Sequence, residues 1–308
     1  MGVVVGKSFY FGFEVVFMQW LQSVFGEKGA GIFSHISSFG EEMMLILIIG
    51  FLYWCYDKKI GVYVGSVIIL SIVANPLVKN IFWRRRPYFD HDSIKCFRPV
   101  EKDADIYDIA AQGFSFPSGH STNSVAAYGA IAASLKKKII TILAVVISLL
   151  VGLSRVVVGV HYPSDVIVGW LLGGACLFLM SFLMKRVSEE KRGILYLVVF
   201  AVSCVGLLYC KTSDYFTGLG LMGGVFAAFE FEKRFVNFKN TRKPLRCILR
   251  LLGGLIVYLV FNTLLKMPFS EQFLNSGTFL AGMVRTVRYL IVSFVAVGVY
   301  PFVFRIEK

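Results

Sequence analysis

Long apolar runs separated by short basic loops are the feature that most constrains how this chain can fold. Hydrophobic residues make up 56% of the 308 residues, against about 45–50% in soluble domains. A helix needs about 17–25 mainly apolar residues to cross a hydrocarbon core of roughly 30 Å, and several runs have that length. The sequence therefore predicts an all-α fold, a polytopic transmembrane helical bundle.

Nine spans are predicted, preceded by a helix that lies in the membrane interface. Residues 8–25 mix aromatic side chains with Glu14, Gln19 and Gln22, which is typical of an interfacial helix; a short spanning helix is the alternative. Pro76 lies inside the second span, where neighbouring helices can satisfy the carbonyl that it frees. The predicted spans are 42–57, 60–82, 121–134, 139–157, 164–184, 194–210, 213–230, 248–266 and 283–304.

The pattern favours three parts: an N-terminal interfacial segment (1–41), a catalytic membrane core (42–188) and an accessory C-terminal transmembrane bundle (189–308). The six cysteines have no metal-type spacing and are expected to pack in the apolar interior. No cluster of cysteines or carboxylates suits a metal, so neither a metal nor another cofactor is predicted.

The net charge of +13 is carried by short basic blocks between apolar runs, as in membrane loops. We therefore expect membrane lipids as partners and no nucleic acid. The blocks fall in alternate loops, which predicts an outside N-terminus and a cytoplasmic C-terminus, in a bacterial plasma membrane. These blocks are Lys58 and Lys59, Lys136–Lys138, residues 185–192, residues 233–250, and Arg305 with Lys308.

The remaining loops contain three segments rich in ionisable groups, all on the non-cytoplasmic side. In the first, Lys79 and Arg86 are seven positions apart, which brings them to nearly the same face of a helix. Arg offers a planar fork and Lys a point charge to phosphate oxygens. Anchoring to lipid head groups is the alternative for Lys79 and the interpretation chosen for Arg84 and Arg85.

The second segment, Pro117-Ser118-Gly119-His120, opens the third predicted span. Glycine permits a turn that presents backbone N–H groups, and a helix N-terminus favours phosphate. His120 is suitably placed to protonate a leaving oxygen. Taken alone, the string is also ordinary turn chemistry.

The third segment runs from Ser154-Arg155 through His161 to Asp165. An Asp four residues after a His can accept a hydrogen bond from one ring nitrogen and leave the other as a nucleophile. A structural pair that caps a helix is the alternative. With their basic groups, glycine and serine, the three segments predict a pocket for phosphate.

Together the three segments resemble the type 2 phosphatidic acid phosphatase superfamily, whose pattern is Lys-x6-Arg-Pro, Pro-Ser-Gly-His and Ser-Arg-x5-His-x3-Asp. The resemblance covers about residues 40–188 and implies a membrane phosphatase that needs no metal. It implies that His161 forms a phosphohistidine, that Asp165 orients it, and that His120 serves as acid and then base. It also implies a set of residues that bind the substrate phosphate: Lys79, Arg86, Ser118, Gly119 and Arg155.

The expected partner is a phosphorylated lipid, because a lipid head group can reach such a site laterally within the membrane. Phosphatidate-like and undecaprenyl-diphosphate-like substrates are favoured. The nine-span layout resembles the glucose-6-phosphatase branch, so another phosphomonoester is the first alternative. A lipid phosphotransferase and a non-catalytic lipid-phosphate transporter are the others.

Two further regions have open interpretations. The loop 88–116 is either a partial lid over the site or a solvated loop. Arg285 and Arg288 either reach the face of the site and touch a substrate head group or a second phosphate, or anchor the last span in the interface.

Overall fold

The computed structural model describes residues 6–305, which contain no β-sheet and are mainly helical, so the predicted all-α class is confirmed. Short 3-10 and π-helical turns extend several of the helices. The α-helices are α1 (Gly12–Ser37), α2 (Glu42–Gly50), α3 (Lys58–Phe82), α4 (Pro87–Asp90), α5 (Ile109–Gln112), α6 (Gly119–Leu135), α7 (Lys138–Val157), α8 (Pro163–Arg186), α9 (Arg192–Ser203), α10 (Ser213–Phe231), α11 (Pro244–Leu264), α12 (Glu271–Leu274) and α13 (Phe279–Phe294).

Within residues 6–305, six helical stretches are long and apolar enough to span a membrane, and a seventh arises if one bent pair counts as a span. The chain is therefore built as an integral membrane protein with several spans. The six stretches are Lys58–Phe82, Lys138–Val157, Pro163–Arg186, Glu189–Leu208, Pro244–Leu264 and Phe279–Arg305, and the pair is Gly12–Gly40 with Glu42–Tyr56, bent by 45°.

The predicted count of nine spans is not shown by these helices. Predicted spans 121–134 and 213–230 coincide with α6 and α10, which are helical but are not among these candidate spans. α6 is short for a span, with 17 residues, and opens with polar side chains. α10 is rich in glycine and carries a carboxylate near each end.

The described chain forms two compact units. The first comprises residues up to Leu45 together with Ala74–Phe178, and the second comprises Ile46–Val73 together with the chain from Leu179 onward. These units divide the chain differently from the predicted boundaries at 41 and 188, so that three-part division stays a prediction. All eight predicted site residues belong to the first unit.

In the first unit, α1 packs lengthwise on α7. Its inner face contributes Met18, Leu21 and Phe33 to an apolar cluster that includes four valines at and just beyond the end of α7: Val156, Val157, Val158 and Val160. Its outer face leaves large aromatic side chains exposed, among them Phe13 and Trp20. The predicted N-terminal helix is therefore present, and its position in a membrane interface stays a prediction.

Two glycines bring α8 against the start of α6. A Cβ atom on Gly169 would lie 2.7 Å from the Ser118 carbonyl oxygen, and one on Gly173 would lie 2.3 Å from that of Thr122. Neither distance is compatible with a side chain unless the helices separate. The two glycines, four residues apart, permit the close backbone approach that small residues give membrane helices.

In the second unit, α10 packs closely on α13 through glycines that follow the same spacing. Arg288 of α13 is buried there, with Nη2 3.2 Å from Asn262 Oδ1. A buried guanidinium does not lie among lipid head groups, so the interfacial interpretation is wrong for Arg288.

Candidate active site

The predicted site residues lie at helix ends that belong to one unit. Lys79 is near the C-terminal end of α3, and Arg155 is in the last turn of α7. Ser118 is the N-cap of α6, and Asp165 is in the first turn of α8. Because these ends carry all three sequence segments, the fold supplies the common location that the motifs require.

His161 is buried in the segment between α7 and α8, and its Nδ1 lies 3.5 Å from Asp165 Oδ2. This separation is longer than a good hydrogen bond, and within residues 6–305 the Nδ1 atom has no hydrogen-bond partner. Burial, followed by the charges of Arg86, Arg155 and Lys79, holds the pKa of His161 well below its usual range. The imidazole is therefore neutral near pH 7, as a nucleophile must be.

Asp165 is fully buried and connects the second and third segments. Its carbonyl oxygen accepts a 3.0 Å hydrogen bond from the Ser118 N–H, and its Oδ2 accepts a 2.8 Å bond from the Tyr162 N–H. The Ser118 hydroxyl accepts from Ser121 Oγ at 2.9 Å, as part of the α6 cap. Its own O–H is the group that Ser118 can still donate to a phosphate.

Arg86 and Arg155 present buried guanidinium groups to the same histidine. Arg86 Nε donates to the Gln112 carbonyl at 2.8 Å, and its Nη1 donates to the Val160 carbonyl at 3.0 Å. Arg155 Nη1 donates to Ser37 Oγ, and within residues 6–305 its Nε has no hydrogen-bond partner. The hydroxyl of Ser37 orients Arg155 without neutralising its charge. The charges of both guanidinium groups act on His161.

His120 is the second residue of α6, directly after Gly119, and is partly buried. Its Nε2 is buried and has no hydrogen-bond partner among the described residues. Arg155 and His161 both act on it electrostatically. The unused nitrogen is a suitable proton donor or acceptor for a ligand bound between the two histidines.

The interpretation of Arg84 as a lipid anchor is wrong. Its side chain is only 1% exposed and forms ion pairs with Asp165 at 2.7 Å and with Glu14 at 3.2 Å. Arg85 is partly exposed and pairs with Asp90 at 2.6 Å. The signal that sequence reasoning missed was Glu14 itself, the one carboxylate in the aromatic sequence 8–25, where a charge is costly unless it is paired.

The N-terminal helix and the loop 88–116 supply further polar groups that the motifs do not contain. Arg98 donates to Ser34 and Ser38 and pairs with Glu41, and its charge acts on His120. Gln112 is fully buried and accepts from the Val100 N–H at 2.8 Å. Part of the loop thus folds onto the first unit, whereas its acidic residues from Glu101 to Asp108 are exposed.

The arrangement suits a dense anion beside two imidazoles. Lys79, Arg86 and Arg155 surround His161 with positive charge, and the N-terminus of α6 adds the positive end of a helix dipole. In the described part of the chain, no group of three or more His, Cys, Asp or Glu side chains is placed to hold a metal ion.

Comparisons with known proteins agree with this geometry. The chain is 32% identical over 182 residues to phosphatidylglycerophosphatase B of Bacillus subtilis, covering 56% of this chain and 77% of the relative. It is 31% identical over 151 residues to an undecaprenyl-diphosphatase of Sulfolobus acidocaldarius, covering 48% and 68%. A lipid A 1-phosphatase of Rhizobium etli is 35% identical over 132 residues, covering 42% and 53%. No solved structure matches the chain at a significant level.

Two family descriptions match separate parts of the chain. The PAP2 superfamily matches residues 60–189, which contain all three motifs. The PAP2 superfamily phosphatase transmembrane extension matches residues 216–307. The resemblance seen in the motifs is thereby confirmed, and the chain belongs to the PAP2 superfamily, as a membrane phosphatase of lipid phosphates or diphosphates that carries a transmembrane extension.

Proposed function

We propose that this phosphatase works through a phosphohistidine on His161. The carrying observation is the placement of Nδ1 beside Asp165, 3.5 Å from Oδ2, which leaves Nε2 to attack. Nε2 forms the N–P bond while the bond from phosphorus to the leaving oxygen breaks, and His120 donates a proton to that oxygen. His120 then takes a proton from water, whose oxygen attacks phosphorus and releases inorganic phosphate from His161.

The bound phosphoryl group is stabilised by the surrounding donors. Lys79, Arg86 and Arg155 neutralise charge on its equatorial oxygens as the bonds change. Ser118 contributes its O–H and Gly119 its N–H at the start of α6. Removal of one such donor from a preorganised site costs on the order of 10²–10³ in kcat.

The proposed substrate is a phosphorylated lipid, either phosphatidate-like or a polyprenyl diphosphate. Two relatives whose sequences this chain covers by two thirds or more are named for phosphatidylglycerophosphate and undecaprenyl diphosphate. Spanning helices that carry the site at their ends also give a lipid head group direct access. Glucose 6-phosphate and transfer of the phosphoryl group to a second lipid are the alternatives.

We further propose a bacterial plasma-membrane location with the site on the non-cytoplasmic face and nine spans in total. The alternating basic loops support this orientation. The nine-span count requires that α6 and α10 cross the membrane inside the protein, shielded from lipid by their neighbours.

Phosphate release by the purified protein in detergent tests the substrate. The panel comprises phosphatidate, phosphatidylglycerol phosphate, a polyprenyl diphosphate and glucose 6-phosphate, without added divalent metal and with His161→Ala as control. We expect release from a lipid substrate, lost in the variant. Preference for glucose 6-phosphate would contradict the lipid proposal, and unchanged release by His161→Ala would contradict the nucleophile.

His120→Ala tests whether His161 is the nucleophile while His120 serves as the acid and then the base. Nitrophenyl phosphate has a leaving group that needs no proton, so this variant should still form the phosphoenzyme but hydrolyse it slowly. Labelled phosphate trapped on His161 at high pH is the readout. A variant that accumulates no phosphoenzyme would contradict the role of His120 in the second step.

A further inference from the structure

A continuous set of buried charges runs from the N-terminal helix to the catalytic carboxylate. Arg84 Nη1 lies 2.7 Å from Asp165 Oδ1, and Arg84 Nη2 lies 3.2 Å from Glu14 Oε2. The side chains of Glu14 and Asp165 are fully buried, and that of Arg84 nearly so. One guanidinium fork therefore bridges two carboxylates that are far apart in the sequence.

Glu14 and Arg84 also fix the segment that follows His161. Glu14 Oε1 accepts a 2.8 Å hydrogen bond from the Ser164 N–H, and Arg84 Nη1 donates to Ser164 Oγ at 2.8 Å. The guanidinium carbon of Arg84 lies 3.9 Å from the centre of the Tyr162 ring. Glu14 and Arg84 thus hold Tyr162 and Ser164, the residues on either side of the start of α8.

The N-terminal segment in turn fixes Arg84. The Lys7 N–H donates to the Trp83 carbonyl at 2.7 Å, and the Arg85 N–H donates to the Lys7 carbonyl at 3.0 Å. The Phe11 N–H donates to Glu14 Oε2 at 3.0 Å, at the start of α1. Arg84 is consequently restrained through its backbone and its side chain by one stretch of chain.

This arrangement determines which atoms of Asp165 remain for His161. Oδ1 is taken by Arg84, and Oδ2 accepts from the Tyr162 N–H while facing His161 Nδ1. A rotation of the carboxylate about its Cβ–Cγ bond would break both contacts. A charged group bridging two buried carboxylates resists such rotation, because any uncompensated charge there is costly.

We propose that Arg84 and Glu14 are positioning residues of the active site, which act on His161 through Asp165. The proposal rests on the proposed role of His161 as nucleophile. Glu14 lies outside residues 60–189, where the PAP2 superfamily matches, and Arg84 occupies an unspecified position between Lys79 and Arg86 in the motif. Neither residue belongs to the pattern that identified the site.

The two residues carry opposite charge, so their neutral variants should move the pH profile in opposite directions. Glu14→Gln removes a negative charge that favours the His161 imidazolium, so the acidic limb of kcat/KM should move to lower pH. Arg84→Gln removes a positive charge, so the limb should move to higher pH. In both variants kcat should fall by about 10–100-fold, as for other residues that orient a catalytic ligand, with little change in KM.

Two conservative variants and a matched control complete the design. Glu14→Asp keeps the charge on a shorter side chain, and Arg84→Lys keeps the charge but replaces the guanidinium fork by one ammonium group. Both variants should therefore retain more activity than the neutral variants. Glu27 lies on the same helix in an exposed pair with Lys95 at 3.7 Å, and Glu27→Gln should leave kcat, KM and the pH profile unchanged. Thermal unfolding in the same detergent gives the folded fraction of each variant.

A folded Glu14→Gln protein with the parent kcat and pH profile would overturn the proposal and leave the ion pairs a structural role. If Glu14→Gln does not fold, Arg84→Gln decides by the same criteria. If neither neutral variant folds, the parent kcat in both Glu14→Asp and Arg84→Lys would overturn the proposal. Failure of the proposed function gives a different result, since the parent protein itself would then form no acid-labile phosphohistidine. Opposite shifts of the limb in such a protein would support positioning of Asp165 for another chemistry.

Discussion

At the residue scale, His161 lies between a carboxylate and a group of basic side chains, and burial together with the basic side chains lowers its pKa. The pKa of His161 is lowered by burial first and by Arg86 next. A lowered pKa means that the neutral nucleophile persists as the pH falls. We therefore predict that the acidic limb of kcat/KM lies clearly below the ordinary imidazole pKa of about 6.5.

Removal of Arg86, the charge that lowers the pKa of His161 most, should reverse part of this lowering. In Arg86→Gln the imidazolium becomes less costly, so the pKa of His161 should rise and the limb should move to higher pH, together with a loss of kcat/KM. The pH profile is measured with two substrates whose phosphate groups have different pKa values. An acidic limb that reflects His161 stays in place when the substrate changes, whereas one that reflects the substrate moves. If the acidic limb of kcat/KM in Arg86→Gln lay at the same pH as in the parent protein, the electrostatic explanation would be contradicted.

The same scale marks the limit of sequence reasoning. His161 and Asp165 could be predicted from their spacing, because a short turn connects them. The predicted common helix face of Lys79 and Arg86 is wrong, since α3 ends at Phe82 and Arg86 lies beyond it in extended backbone. Glu14 is 70 positions from its partner Arg84, and no local pattern links two residues that tertiary packing brings together. The cost of an unpaired charge in an apolar segment was the available signal.

At the element scale, the site depends on how closely α8 approaches α6. The Ser118 N–H reaches the Asp165 carbonyl only because Gly169 and Gly173 have no side chain on the contacting face. We predict that Gly173→Ala lowers stability by about 1–3 kcal/mol through overpacking and lowers kcat by displacing Asp165.

The neighbouring Gly174 is the matched control, since nothing lies within 4 Å of a Cβ placed there. Gly174→Ala should preserve activity and raise stability by up to about 1 kcal/mol through helix propensity. Thermal unfolding and phosphate release in the same detergent compare the two. Equal effects of the two substitutions would contradict the close-packing argument.

The elements themselves were predicted well where hydropathy alone decides. The spans 139–157 and 164–184 match α7 and α8 closely, because helices with much of their surface outside the protein core must be continuously apolar to face lipid. The sequence predicts α6 and α10 as ordinary spans, yet both are largely buried and carry glycine, alanine and polar residues. Helices that face protein instead of lipid do not need an apolar surface, so hydropathy describes them poorly.

At the scale of the whole molecule, the site residues lie at one end of α6, α7 and α8, and the basic residues that indicate membrane orientation lie at the other end. α6 starts at the site and ends at Lys136–Lys138, where α7 begins its return to the site at Arg155. α8 leaves the site at Asp165 and ends at Lys185 and Arg186. Because these basic turns lie at the far ends of the same helices, the positive-inside rule supports the proposed location of the site on the opposite, non-cytoplasmic face.

Cysteine labelling in intact cells tests that assignment. Asp103→Cys places a thiol in the exposed loop 88–116, and Lys137→Cys places one in the exposed turn between α6 and α7. We predict that a membrane-impermeant thiol reagent labels Asp103→Cys in intact cells and labels Lys137→Cys only after permeabilisation. The unmodified protein gives the background, since its six cysteines are buried or partly buried. The reverse pattern would place the site in the cytoplasm, where a lipid phosphate of the outer leaflet could not reach His161.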